Sequence, residues 1–250
     1  MSIPIKSEKE IKKMQEGGKI LAEVLETVIT EAKPGISTYE LDELAEKIII
    51  NHGAKPGFKG YQGFPNTLCT AIDKVIVHGI PSKNQILQEG DLFTVDCGVL
   101  YKGFYTDAAR SKGIGKISKE KERLLKTANI ALEKATNLAK PGTHINEIGK
   151  IIQTTVEEEG FHIIKDLTGH GVGRNLHEDP TILNFWEGNP GPILKEGMTI
   201  AIEPIFSAGT SEMKTANDGW TLVTDDNSSA IQVENTVLIT QNGPEVLTKT

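Results

Sequence analysis

The feature that most restricts this chain is a repeat kept in one register. Ala32-Lys33-Pro34-Gly35 returns 107 residues later as Ala139-Lys140-Pro141-Gly142, and the same offset carries Glu40 to Glu147 and Gly53 to Gly160. It also relates Ile86-Leu87-Gln88-Glu89-Gly90 to Ile193-Leu194-Lys195-Glu196-Gly197. Solenoid repeats run about 20–50 residues, so a period this long implies two fused copies of one half-domain. Each copy has the same order of elements. Ser7 and Glu10 form a capping box ahead of a helix that begins near Glu8 and stops at Lys33-Pro34-Gly35, which cannot continue it. A second helix starts at Ser37, with Glu40 three residues on, and ends at Gly53. The counterparts run from Lys119 to Leu138 and from Ile145 to Glu159. β-rich segments follow each pair: Asp91 to Val99 and Gly103 to Gly113, then Met198 to Ile205 and Trp220 to Thr240. Helices on one side of mainly antiparallel strands predict an α+β domain. With no Ser-, Pro- or charge-rich linker between the copies, one pseudo-symmetric domain over 1–250 is expected, with halves 8–113 and 119–240.

The offset places Asp96 on Glu203, each inside an apolar strand: Leu92-Phe93-Thr94-Val95-Asp96 and Thr199-Ile200-Ala201-Ile202-Glu203. An isolated carboxylate there is costly unless paired, protonated or bound to metal. Asp107 follows a turn around Tyr101-Lys102-Gly103, and hairpin register with a two- or four-residue loop puts it on the same face as Asp96. Glu234, in the alternating strand Ala230 to Val237, is the fourth acid expected about the pseudo-twofold axis. Four such groups raise one another's pKa when dry, and divalent cations resolve the conflict.

The chain has 27 basic and 34 acidic residues, a net charge of −7, which argues against a nucleic-acid partner. No stretch approaches the ~18 apolar residues of a membrane span, and Met1 to Lys6 lacks the apolar region of a signal peptide. Cys69 and Cys97 are too few for a disulfide framework. A cytoplasmic protein that does not bind membranes is expected. Of the six histidines, His52, His144 and His162 suit solvated or capping roles, whereas His170 lies in Gly169-His170-Gly171-Val172-Gly173, where glycines free the imidazole to reach a ligand. His78 and His177 each begin His-x-x-Pro, one ahead of each acidic strand.

Taken together, these residues resemble a type I methionine aminopeptidase of the pita-bread fold. The resemblance runs from Ile5 to Thr248 and rests on Tyr61-Gln62-Gly63-Phe64-Pro65, Val77-His78-Gly79-Ile80-Pro81, Val95-Asp96 with Tyr105-Thr106-Asp107, and Thr168-Gly169-His170-Gly171-Val172-Gly173. His177-Glu178-Asp179-Pro180, Ile202-Glu203-Pro204 and Asp218-Gly219-Trp220-Thr221 complete it. It implies helices packed outside a curved antiparallel sheet and two divalent ions (Co, Mn, Fe or similar) held by Asp96, Asp107, His170, Glu203 and Glu234. Carboxylates with one imidazole suit such hard cations better than a thiolate zinc site. It further implies that Glu203 carries a proton from the attacking water to the leaving amine, that His78 contacts the substrate amide, and that His177 donates to the oxyanion. Tyr61, Phe64, Cys69, Leu176 and Trp220, with His78 and His177, would bind a methionine side chain and its scissile amide. The expected substrates are nascent polypeptide N-termini with a small second residue, cleaved by a monomer that contacts the ribosome transiently.

Two positions depart from the family pattern. Leu176 stands where a bulky aromatic is usual, which predicts a wider or reshaped pocket. Asn235 stands where His is common after the last acid, and strand alternation places it on the opposite face from Glu234. An Xaa-Pro aminopeptidase or prolidase shares fold and ligands, but such enzymes usually carry a further N-terminal domain and lack Asp218-Gly219-Trp220. A non-catalytic pita-bread binding module would show degenerate ligands and a basic insertion; all five ligand positions are kept here.

Overall fold

A computed structural model describes residues 3–249; Met1, Ser2 and Thr250, the ends of the expected 1–250 domain and the start of the segment read for a leader, lie outside the described residues. Four helices, α1 (Glu8–Glu31), α2 (Thr38–Asn51), α3 (Lys119–Leu138) and α4 (Asn146–Glu158), form two pairs. Capping fixes where three of them start. Ser7 N–H donates to Glu10 Oε2 at 2.8 Å and Ser37 N–H to Glu40 Oε2 at 2.8 Å, while Ser118 Oγ accepts from Lys121 N–H at 3.2 Å. The second pair member in each half gives way to Gly53 (φ 69°) or Gly160 (φ 78°), in the left-handed region that glycine enters without steric cost.

The offset of 107 persists in backbone hydrogen bonds. Gly35 N–H donates to Leu87 O at 2.8 Å and Gly142 N–H to Leu194 O at 3.0 Å; Leu87 N–H reaches Ile36 O at 2.9 Å and Leu194 N–H reaches Thr143 O at 2.8 Å. Isolated bridges join Ser37 to Ile86 and His144 to Ile193. Lys55 and Pro56 pair with Leu100 and Val99, as His162 and Ile163 pair with Ser207 and Phe206.

The copies part at their acidic strands. Leu92–Tyr101 is one ten-residue strand, whereas its counterpart breaks into Thr199–Ile202 and Ile205–Ser207. Pro204 has no N–H to give a ladder, which explains why the single segment expected from Met198 to Ile205 is interrupted at Glu203-Pro204. The segment read as Trp220 to Thr240 likewise divides into strands Leu222–Thr224, Ala230–Gln232 and Asn235–Thr240. Ala230–Gln232 pairs with Ile205–Ser207, and Asn235–Thr240 pairs with Thr199–Ile202, so Glu234 sits at a crossing between two sheets rather than inside one strand. Among the described residues all strand pairs are antiparallel, in sheets of four, three, three and five strands.

Alternation then separates core from cleft. Phe93, Val95, Cys97 and Val99 pack against Leu21, Leu25, Leu41 and Ile49 of α1 and α2. Ile200, Ile202 and Val237 pack against Leu124, Leu132, Ile148 and Ile152 of α3 and α4. Each half thus buries one sheet face under its helix pair, each large aliphatic side chain contributing roughly 1.5–3 kcal/mol. The opposite parity, which carries Asp96 and Glu203, faces the cleft between halves.

Candidate metal centre

Asp96 and Asp107 are placed by a tight two-residue hairpin. Tyr101 pairs with Phe104 across Lys102 (φ 49°) and Gly103 (φ 83°), the left-handed pair that a two-residue turn between twisted strands requires. Asp96 opposes Ala109 and Asp107 opposes Gly98, which makes the acids diagonal neighbours on one face. The second half is tied to this hairpin directly: Thr236 Oγ1 accepts from Asp107 N–H at 2.9 Å and donates to Asp107 O at 2.8 Å, and Glu234 N–H donates to Ala109 O at 3.0 Å. Glu203 and Glu234 enter from the two strand breaks, and His170 from the short strand Gly169–Gly171 beside Ala201.

Geometry brings all five of these side chains to one end of a cleft of about 630 Å³. Ligating atoms of Asp107, His170 and Glu234 lie within 4.8 Å of one another. His170 Nε2 is 3.6 Å from Glu203 Oε1 and 3.8 Å from Asp107 Oδ2. Its Nδ1 lies 2.9 Å from the Gly171 carbonyl oxygen, which can only accept, so Nδ1 holds the proton and Nε2 turns a bare lone pair towards the acids. Burial, reinforced by His177, lowers the His170 pKa to about 4 and keeps the ring neutral. A lone pair facing carboxylate oxygens is repulsive unless a cation stands between them.

The acids report the same conflict. Burial pushes Asp96 up to about 7 against the hydrogen bonds that Gln232 and Asp107 give it. Burial also drives Asp107, Glu203 and Glu234 well above the ordinary carboxylate range, and repulsion from neighbouring acids adds to these three. Asp96 Oδ1, Asp107 Oδ1 and Glu234 Oε1 are buried without a hydrogen-bond partner. Among the described residues, no lysine or arginine lines the cleft. Arg110, the nearest guanidinium, is spent on the carbonyls of Ala109 (2.9 Å), Glu234 (2.6 Å) and Thr248 (2.5 Å) and on Asn235 Oδ1 (2.9 Å). This donor set, four hard carboxylates and one unprotonated imidazole with orphaned oxygens, fits divalent cations.

One residue of the cluster has no counterpart among the sequence expectations. Gln232 Nε2 donates to Glu203 Oε2 at 3.2 Å and to Asp96 Oδ2 at 3.4 Å, bridging the two acids related by the repeat. Its place two residues before Glu234 on an alternating strand was the only sequence signal for it. Asn235 turns away from the acids, and its Oδ1 accepts from Arg110 Nη2 and, at 3.1 Å, from Thr248 Oγ1.

In the same cleft, Phe58, Phe64, Cys69 and Leu176 form a buried apolar cluster against Tyr61, Ile80 and Trp220, and Cys69 is the cross-strand partner of Asp96. Phe64 meets Trp220 edge-on, with ring centroids 5.3 Å apart. Phe58, absent from the expected pocket set, stands behind it against Gly98, where a Cβ would lie 2.7 Å from the Phe58 ring. Leu176, 2% exposed, fills the place where an aromatic was the family expectation. The cleft is also lined by His177, whose ring centroid is 4.3 Å from that of His170, and by His78, held at φ 58° in a region L-residues rarely occupy. Both imidazoles open to solvent at the cleft mouth, yet the surrounding walls desolvate them enough to hold each below its ordinary pKa. Burial keeps the Cys69 thiol protonated, its pKa well above the usual range.

With this geometry in place, comparison with known proteins is specific. A family model described as metallopeptidase family M24 matches residues 12–241. The chain is 45% identical to the methionine aminopeptidase of Clostridium acetobutylicum over 246 residues, covering 98% of each chain. Its fold is similar to the crystal structure of a Thermotoga maritima methionine aminopeptidase, with a TM-score of 0.98, 41% identity and full coverage of both chains. It also resembles the prolidase of Pyrococcus horikoshii OT3, with a TM-score of 0.80 and 29% identity, covering 98% of this chain but 63% of that one.

Proposed function

The chain belongs to metallopeptidase family M24, and on that premise we propose that it removes the N-terminal methionine of polypeptides by hydrolysing the first peptide bond. The observation that carries the reading is the junction in one cleft of a cation-seeking acid cluster with an aromatic-walled apolar pocket. We assign Asp96, Asp107, His170, Glu203 and Glu234 as ligands of two divalent ions, in a single catalytic domain over 1–250 with halves 8–113 and 119–240. Such ions, when bound, supply a nucleophilic water at neutral pH and positive charge against the developing oxyanion.

The chain's own groups do the rest. The apolar cluster of Phe58, Phe64, Cys69, Leu176 and Trp220 receives the methionine side chain, a flexible thioether suited to an aromatic-walled slot. Tyr61 Oη lies 2.9 Å from His177 Nδ1, and a phenol donating there leaves the His177 proton on Nε2, available to a substrate carbonyl oxygen. His78, which also lines the cleft, is assigned to contact the scissile amide. Glu203, its pKa raised by burial and by Asp96, is suited to take a proton from the attacking water and return it to the leaving amine.

The reading extends to a cytoplasmic monomer acting on nascent chains at the ribosome, in line with two free thiols, Cys69 and Cys97. The metal is drawn from Mn, Fe and Co. Purified protein supplied with Mn²⁺ is expected to cleave Met-Ala-Ser much faster than an Ala-Pro peptide; the reverse order would replace this reading with an Xaa-Pro peptidase.

A further inference from the structure

A buried carboxylate outside the cleft is not used by this chemistry. Asp42, on α2, is 3% exposed. Its Oδ1 accepts from Thr67 N–H at 2.9 Å and Leu68 N–H at 2.8 Å, and its Oδ2 accepts from Asn66 Nδ2 at 2.7 Å. One turn further along the same helix face, both oxygens of Glu46 accept from Lys59 Nζ, at 2.7 and 2.8 Å. α2 therefore grips both ends of segment 59–68. Tyr61 and Phe64 lie between the grips, and Cys69 follows immediately in strand Leu68–Ile72.

The segment has little regular structure to hold it. Gly60, Gln62 and Gly63 have φ of 87°, 48° and 91°, and its internal bonds, such as Gly60 N–H to Phe64 O at 2.8 Å, close only on themselves. Its height above the sheet is set by what anchors it. The repeat supplies an internal control: the position matching Asp42 is Gly149 on α4, where a Cβ would lie 2.5 Å from Leu183 O and 2.6 Å from Phe185 O. The second half docks its loop against bare helix backbone. The first half, which contributes Tyr61, Phe64 and Cys69 to the pocket, hangs its loop from a carboxylate that satisfies three donors. Burying a charge is costly unless hydrogen bonds offset it, so the arrangement has a demand to meet.

We propose that Asp42 is a positioning residue that sets selectivity for the methionine side chain, holding the segment that forms one wall of the pocket; this rests on the functional reading above. Asp42→Asn turns an amide N–H group towards Asn66 Nδ2 or towards the two backbone donors, so at least one bond is lost and the wall shifts. The readout is the kcat/KM ratio for Met-Ala-Ser over Leu-Ala-Ser with Mn²⁺-loaded enzyme, beside calorimetric Mn²⁺ affinity. Asp42→Asn is expected to lower that ratio about tenfold, the scale of a methylene-sized misfit in an apolar pocket, with Mn²⁺ affinity within about twofold. The reciprocal pair Asp42→Asn with Asn66→Asp restores a donor facing an acceptor and is expected to recover the ratio. Asn66→Ala, which keeps both backbone bonds, serves where Asp42→Asn does not fold, and is expected to lower the ratio in the same direction.

An unchanged ratio in the single variant that folds would overturn the inference, as would a reciprocal pair no better than Asp42→Asn or a loss fully matched by weaker Mn²⁺ binding. Wild-type protein that fails to cleave Met-Ala-Ser would overturn the functional reading as well.

Discussion

His170 Nε2 faces Glu203 Oε1 across 3.6 Å with no ring proton between them, because the only N–H of the ring is committed to the Gly171 carbonyl oxygen. Two ligating atoms held this close in a buried site mark the candidate metal centre more sharply than any count of acids. The backbone bond fixes the tautomer before any ligand arrives, and burial keeps the second nitrogen unprotonated.

This arrangement ties metal to stability. The metal-free fold holds Asp96 near pKa 7, and Asp107, Glu203 and Glu234 well above their ordinary range, whereas the unfolded chain releases those protons at ordinary carboxylate pKa values. Groups raised on folding contribute stability that is complete below about pH 4 and is lost as pH rises through 7. His170, His78 and His177, held below their ordinary range, add stability as pH rises only up to about 6.5, so chelator-treated protein should melt at falling temperature between about pH 6.5 and pH 8, and added Mn²⁺ should flatten the curve. Asp96→Asn should raise the metal-free melting temperature at pH 8 by a few degrees while reducing Mn²⁺-dependent activity by at least about a hundredfold. A chelated protein whose stability is flat or rising across that window would contradict the account.

Tyr61 should matter through one atom. Its hydroxyl holds His177 Nδ1 at 2.9 Å, while its ring only walls the pocket. Tyr61→Phe is expected to lower kcat for Met-Ala-Ser about five- to tenfold, the worth of one hydrogen bond, with little change in KM. A change confined to KM would show that the hydroxyl serves substrate binding and not the chemical step.

Lys6 and Glu178 form a buried ion pair at 2.6 Å, with side chains 1% and 4% exposed, directly beneath the turn that carries His177. Burial lowers the Lys6 pKa, and the bond to Glu178 opposes that shift. Lys6→Met leaves the carboxylate with only the Asn175 N–H at 3.0 Å and should cost about 3–5 kcal/mol in denaturant unfolding. Adding Glu178→Gln should recover part of that loss, because no unpaired buried charge remains.

Much of this was readable from local chemistry. Capping boxes at Ser7 and Ser37 bond residues three apart, so they mark helix starts wherever the chain later goes. Hairpin register is equally local: a two-residue turn at Lys102-Gly103 obliges Asp96 and Asp107 to share a face. The strand breaks were only half legible. Pro204 announces one, but nothing near Val233-Glu234 does, since that break arises where the chain passes from pairing Ile205–Ser207 to pairing Thr199–Ile202.

The duplicated half-domain, the helix pairs, the hairpin and the identity of the acids were legible along the chain, because each depends on residues close in sequence or on a repeat that can be counted. How the copies meet was left to the tertiary fold. Thr236 clasps Asp107, Arg110 holds the carbonyl of Glu234, and Gln232 joins Asp96 to Glu203, across 129, 124 and 136 residues of chain. It also decided that the position shared by Asp42 and Gly149 holds a loop through a carboxylate in one half and meets bare backbone in the other. Such contacts form after the halves close, and burial then gives the acids a cost that they do not have in the extended chain.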